Sequence, residues 1–170
     1  MALSNFIMNI FEKFIDYIAW LSAWLFCVAG FMLSYEVIAR YFFLSPTIWA
    51  AELSQISLIY GTLLAMPWAL KARKHIQINL VINQLSKTNK KFINIFIMII
   101  LIVFSAYVMI YGFDIFYDSL LRGRTTGSLL NLPSWIAELS VPFCFLLLLI
   151  QSFIEIFKLL QNIEPPESDH

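Results

Sequence analysis

Hydrophobic side chains fill four long stretches of this chain, residues 17–35, 53–70, 92–113 and 139–154, and no Asp, Glu, Lys, Arg or His falls inside any of them. A bilayer core roughly 30 Å thick is crossed by about 20 helical residues rising about 1.5 Å each. The first three stretches meet that length unaided. The fourth meets it if the helix begins near Ser134 and carries Glu138 close to its mouth. The pattern predicts an all-α integral membrane fold with four transmembrane helices, spans at about 14–36, 48–70, 91–114 and 134–157. One membrane domain would cover 1–163, and the polar, proline-containing residues 164–170 would form a disordered tail.

Local signals refine the elements. Phe6, Ile7, Ile10, Phe11, Phe14 and Ile15 repeat at helical spacing, and no breaker occurs before Ser45-Pro46. The first helix is therefore expected from about residue 8 to 43, too long to stand upright in a bilayer, so it should tilt or project. Its apolar run is too long for the core of a signal peptide, and Glu36 and Arg40 follow it instead of small-residue cleavage chemistry. Ser45 is expected to cap the second helix and Pro46 to take its first position, where a missing amide proton costs nothing. Along that helix Ala50, Ser54, Ser57, Gly61 and Ala65 fall on one face. Such a stripe of small residues lets another helix approach closely, from this chain or from a partner. The mixed apolar and amide residues 76–85 predict a short amphipathic segment lying on the membrane surface.

Charge adds orientation. The chain is 61% hydrophobic and 13% charged, against about 25% charged in a soluble domain. Its 11 basic and 11 acidic residues balance, so nothing points to nucleic acid. If the N-terminus is inside, the inner segments hold Lys13, Lys71, Arg73, Lys74, Lys87, Lys90, Lys91 and Lys158, and the outer ones only Arg40, Arg122 and Arg124. The positive-inside bias then places both termini in the cytoplasm.

Chemistry is sparse. The sequence has no metal-binding His or Cys spacing, no phosphate-binding glycine loop and no nucleophile elbow. No catalytic, substrate-binding or metal-ligating residue and no cofactor is expected, and the chain is not expected to be an enzyme. His75 lies among lysines at the inner interface and His170 is terminal, so neither is placed to ligate haem in a bundle. Cys27 and Cys144 sit within spans, where thiols are usually packing groups. Glu36, Glu52, Asp114, Asp118 and Glu138 gather towards the outer ends of the spans rather than at mid-depth, where transport sites place their charges. Glu36 and Arg40 stand four apart on one helix face, and Arg40 and Glu52 are expected to lie close to each other or to a partner's charge. The segment 49–54 (Trp-Ala-Ala-Glu-Leu-Ser) is echoed at 135–140 (Trp-Ile-Ala-Glu-Leu-Ser), each after a proline. Two readings fit: equivalent contact points for a partner, or two solutions to one anchoring problem, with Trp at the interface and Glu near a helix N-terminus.

Taken in order, Glu36-Val-Ile-Ala-Arg40-Tyr-Phe-Phe, Pro46 with Trp49-Ala-Ala-Glu52, Lys-Ala-Arg-Lys-His75-Ile-Gln-Ile-Asn, and Gly127-Ser-Leu-Leu-Asn-Leu-Pro133-Ser-Trp135 run through the chain. This series resembles the small membrane subunit (DctQ-like) of tripartite ATP-independent periplasmic (TRAP) transporters. The resemblance implies a non-substrate-binding scaffold in a bacterial inner membrane. Its partners would be a large elevator-type membrane subunit, a periplasmic substrate-binding protein and membrane lipids. The transported species would be an organic anion of the sialic acid or C4-dicarboxylate class, driven by a sodium gradient, and the sialic-acid branch is the nearer likeness. Interface candidates are Glu36, Arg40, Trp49, Glu52, Gly61, His75, Pro133, Trp135 and Glu138. The alternatives are a membrane anchor for a redox enzyme, which would need intramembrane cofactor ligands, and a small homo-oligomeric exporter, which would need a carboxylate within a span.

Overall fold

In the computed structural model, residues 2–45, 47–72, 87–128 and 130–160 are described. Sequence without breakers lets two of the long helices run well past the membrane-length core. The helices are α1 (Ala2–Phe42, 41 residues), α2 (Ile48–Lys71, 24 residues), α3 (Lys87–Arg122, 36 residues), the single turn α4 (Trp135–Glu138) and α5 (Ser140–Leu160, 21 residues). Among the described residues, four stretches are long and apolar enough to cross a membrane: Met8–Phe42, Ile48–Lys71, Phe92–Arg122 and Trp135–Leu160. The last joins α4 to α5. The two are separated at Leu139 because Pro142 has no amide proton to give the Glu138 carbonyl one turn back.

The helix ends follow local chemistry. α3 continues through Asp114 and Asp118 because nothing there breaks it, and stops where Gly123 adopts φ 60°. The Arg124 amide then reaches back to the Ser119 carbonyl at 3.2 Å, the wrap that closes many helix C-termini. The start of α2 differs from expectation. Thr47, not Ser45, occupies the N-cap position, and α2 begins at Ile48. The Thr47 hydroxyl does not cap its own helix; it donates to Glu36 of α1. A charged acceptor outcompetes the α2 amides for that donor.

Across the bundle α1 packs on α2, α2 on α5, and α5 on α3. Ile15 and Ile18 of α1, Leu64 of α2, and Cys144 and Leu147 of α5 form one buried cluster. Leu70 of α2, Met98 of α3, and Phe145 and Leu148 of α5 form the other. The faces of α1 and α3 turned away from these clusters are large and apolar, with Tyr17, Trp20, Phe31, Val103 and Leu121 all more than half exposed. Bare apolar helix faces of this kind belong in lipid or against another membrane helix.

The small-residue stripe on α2 lies partly against α1. Ala50, Ser54 and Gly61 are buried, whereas Ser57 and Ala65 are half-buried. The Ser22 hydroxyl of α1 donates to the Gly61 carbonyl at 2.6 Å, and a Cβ on Gly61 would stand 3.4 Å from the Phe26 ring. A second close approach was not anticipated. At Gly112 of α3 a Cβ would lie 2.9 Å from Val141 Cγ1, so here glycine is what lets α3 and α5 meet. The expected amphipathic segment at 76–85 and the tail at 164–170 lie outside the described residues.

Candidate functional site

Two polar centres sit at opposite ends of the bundle. One end carries the α1–α2 turn and the α3–α4 loop; the other carries the N-terminal part of α1 and the C-terminal part of α5.

At the loop end, Glu36 is 5% exposed and works as a hub. It accepts from Arg40 Nη2 at 2.8 Å, from the Thr47 amide at 2.9 Å, and from the Thr47 hydroxyl. One carboxylate therefore ties the last turns of α1 to the first residue before α2. Arg40 supplies the outer half of this arrangement with its own side chain 59% exposed. The expected approach of Arg40 to Glu52 does not occur within the chain. Arg40 is held by Glu36, four residues back on its own helix, and Glu52 turns to the α3–α4 loop, where its Oε1 accepts from the Leu130 amide at 3.0 Å. Trp49 is 42% exposed and stacks on Tyr35, ring centres 6.0 Å apart, a second tie between α1 and α2.

The α3–α4 loop is a small hairpin. Thr125 and Pro133 form an antiparallel bridge, the Thr126 amide donates to the Leu132 carbonyl at 2.9 Å, and the Ser134 amide to the Arg124 carbonyl at 3.0 Å. Asn131 takes φ 53°, a region Asn enters more readily than most side chains. Asp118 gathers Arg122 at 2.5 Å and Arg124 at 2.6 Å. Trp135 opens α4 and is half-buried, and the Tyr60 hydroxyl of α2 donates to the Ile136 carbonyl at 2.6 Å. The echoed segments are thus used differently. Glu52 clamps a loop amide, whereas Glu138 closes the single turn α4 and makes no side-chain hydrogen bond among the described residues.

The opposite end holds a network that sequence reasoning missed. Lys71 Nζ lies 2.7 Å from both oxygens of Asp16 and 3.1 Å from the Glu12 carbonyl. Lys158 pairs with Glu12, joining α5 to α1, and stands 4.0 Å from Glu155, which is 2% exposed. Gln151, one turn earlier on α5, is fully buried, and neither amide atom has a partner among the described residues. The available signal was the spacing of Glu12 with Asp16 and of Gln151 with Glu155, each i, i+4 on one helix face. Charges flanking an apolar run read more simply as solvated helix ends. His75 lies outside the described residues, and Gly61 is buried against α1 of its own chain.

No group of His, Cys, Asp or Glu among the described residues is arranged to hold a metal ion. What the arrangement does is brace helices. The family profile for tripartite ATP-independent periplasmic transporters, DctQ component, matches residues 29–162. This chain belongs to the DctQ family. It is a multi-pass membrane component of a TRAP transporter, a family of transporters rather than enzymes. This DctQ-family chain is also 27% identical over 100 residues to the sialic acid TRAP transporter permease protein SiaT of Haemophilus influenzae. The match takes in 59% of this chain and 16% of SiaT, so the chain corresponds to a small part of that relative's length. The matched family region begins at Ala29, inside α1, and contains the Glu36 hub, the hairpin loop, Gly112 and all of α5.

Proposed function

We propose that this chain is the small, non-substrate-binding permease subunit of a sodium-gradient-driven TRAP transporter that imports an organic anion. The DctQ match over residues 29–162 carries the reading. In it, the chain scaffolds a large elevator-type membrane subunit and helps receive a periplasmic binding protein in a bacterial inner membrane. Sialic acid is the favoured substrate class because the matched relative is named for it. The charge distribution supports an orientation with both termini in the cytoplasm. Lys13, Lys71 and Lys158 mark one end and Arg40, Arg122 and Arg124 the other. The loop end, with Trp49, Glu52, Pro133, Trp135 and Glu138, then faces the periplasm. The polar groups support a bracing role, since Glu36, Arg40, Glu52, Asp16, Lys71, Glu12 and Lys158 are all engaged within the chain. The bare faces of α1 and α3 offer the large subunit broad apolar surfaces.

The test is uptake into liposomes under a sodium gradient, with this chain alone, with the large subunit, and with the binding protein added. Uptake of sialic acid is expected only with all three. Uptake by this chain alone would overturn the scaffold reading, and uptake by the large subunit and binding protein without this chain would remove its function.

A further inference from the structure

The bare face of α1 changes character near the end that carries the start of α1 and the close of α5. Lys13, Tyr17, Trp20 and Trp24 follow one another at spacings of four, three and four, so they share one stripe of the helix. Tyr17 and Trp20 are 76% and 68% exposed, and a groove of about 610 Å³ is lined by Lys13, Asp16, Tyr17 and Trp20. Trp24 packs edge-on against Trp20, ring centres 5.6 Å apart, and continues the stripe towards the apolar middle of α1.

The charges in this groove are unequal. Both oxygens of Asp16 are held by Lys71 at 2.7 Å, so its negative charge is neutralised from the α2 side. Lys158 is likewise paired with Glu12. Lys13 makes no ion pair among the described residues. The groove thus offers an unneutralised ammonium, a phenol hydroxyl and an indole N–H, three donors set along about 10 Å of helix rise. Below them lies an aromatic surface. A donor set of that depth, cation outermost and rings inward, fits a headgroup phosphate with its acyl chains running down the helix.

We propose that this groove is a binding site for an anionic phospholipid. The phosphate would lie on Lys13, the Tyr17 hydroxyl and the Trp20 indole N–H, and one acyl chain along Trp24. A soluble anion would gain the donors but not the aromatic wall; a zwitterionic lipid would gain the wall but carries a compensating cation. One surface lysine near an anionic headgroup corresponds to about a five-fold preference.

The experiment is native mass spectrometry of the full-length chain released from detergent micelles with equal dioleoyl-phosphatidylglycerol and dioleoyl-phosphatidylcholine. Phosphatidylglycerol should be retained about five-fold over phosphatidylcholine. Lys13→Gln should bring the ratio close to one, and Lys13→Arg should preserve it. Tyr17→Phe with Trp20→Phe, which keep rings and lose donors to the phosphate common to both lipids, should lower retention of both at least two-fold and leave their ratio near the parent's. The melting temperature of each Lys13 variant without added lipid should match the parent, because Lys13 contributes no ion pair to the fold. An unchanged ratio in Lys13→Gln, or a parent ratio near one, would overturn the proposal. So would a Lys13-dependent rise in melting temperature with inorganic phosphate alone, which would mean a soluble-anion site. A photo-cross-linking residue at position 20 that captures a polypeptide instead of lipid in cell membranes would assign this face to a protein partner.

Discussion

Gly112 and Gly61 receive the same substitution differently, and the contrast isolates close packing. Replacing either glycine by alanine in a helix interior brings about 1 kcal/mol of helix propensity. At Gly61 the new Cβ meets the Phe26 ring at 3.4 Å and the Ser22 carbonyl at 3.5 Å, ordinary contact distances, so that gain stands. At Gly112 the Cβ would lie 2.9 Å from Val141 Cγ1. Carbon atoms settle at about 3.5–4.0 Å, so α3 and α5 must part by roughly 0.6–1 Å. Val141 cannot swing aside freely, because its branched Cβ fixes χ1 in a helix. Overpacking of this kind costs about 1–3 kcal/mol. Gly112→Ala should therefore be neutral to about 2 kcal/mol less stable than the parent, and Gly61→Ala neutral to about 1 kcal/mol more stable. Chemical denaturation of the purified chain in mixed micelles measures both. In a double-mutant cycle, Val141→Ala in the Gly112→Ala background should show a favourable coupling of about 1 kcal/mol or more. Equal effects at the two glycines, or strict additivity in the cycle, would refute the steric argument.

Other substitutions address the two polar centres. Glu36→Ala removes the acceptor shared by Arg40 and Thr47, so it should lower the melting temperature more than Arg40→Ala, whose side chain is largely in solvent; the two melts decide the order. Glu12→Lys or Lys158→Glu alone leaves two like charges facing each other in a largely buried site and should cost on the order of 3 kcal/mol. The doubly exchanged chain should recover only part of that loss, because an acid at position 158 would stand beside buried Glu155; the same denaturation curves measure it. Glu138→Gln and His75→Ala should change maximal uptake or assembly in reconstituted liposomes and leave the selectivity among competing carboxylates unmoved.

The helices and the membrane-spanning character were legible because apolar runs of this length have few other uses. Helix limits were less so. Asp114 and Asp118 look like the end of a span, yet nothing near them breaks a helix, and α3 runs on to a glycine that can turn left-handed. Ser45-Pro46 has the chemistry of a helix start, but the Thr47 hydroxyl and amide are drawn to Glu36, a tertiary contact with no local trace. The Glu36–Arg40 pair was readable because it is local to one helix. Gly112 was passed over because its meaning depends on Val141 of a helix nearly thirty residues away. The network of Glu12, Asp16, Lys71 and Lys158 was missed for a related reason. Each residue sits where a charge normally meets water, and only the helix order α1–α2–α5–α3 brings them together.

That network also imposes an order on synthesis. Glu12 and Asp16 leave the ribosome before any of their cations exists. Asp16 is neutralised when Lys71 arrives at the end of α2, while Glu12 must wait for Lys158, near the end of the last helix. Until then α1 sits in the bilayer with an uncompensated acid at its mouth, close to the buried amide and carboxylate that α5 will bring. An unfinished or C-terminally clipped chain therefore carries a chemical mark that a complete one has erased.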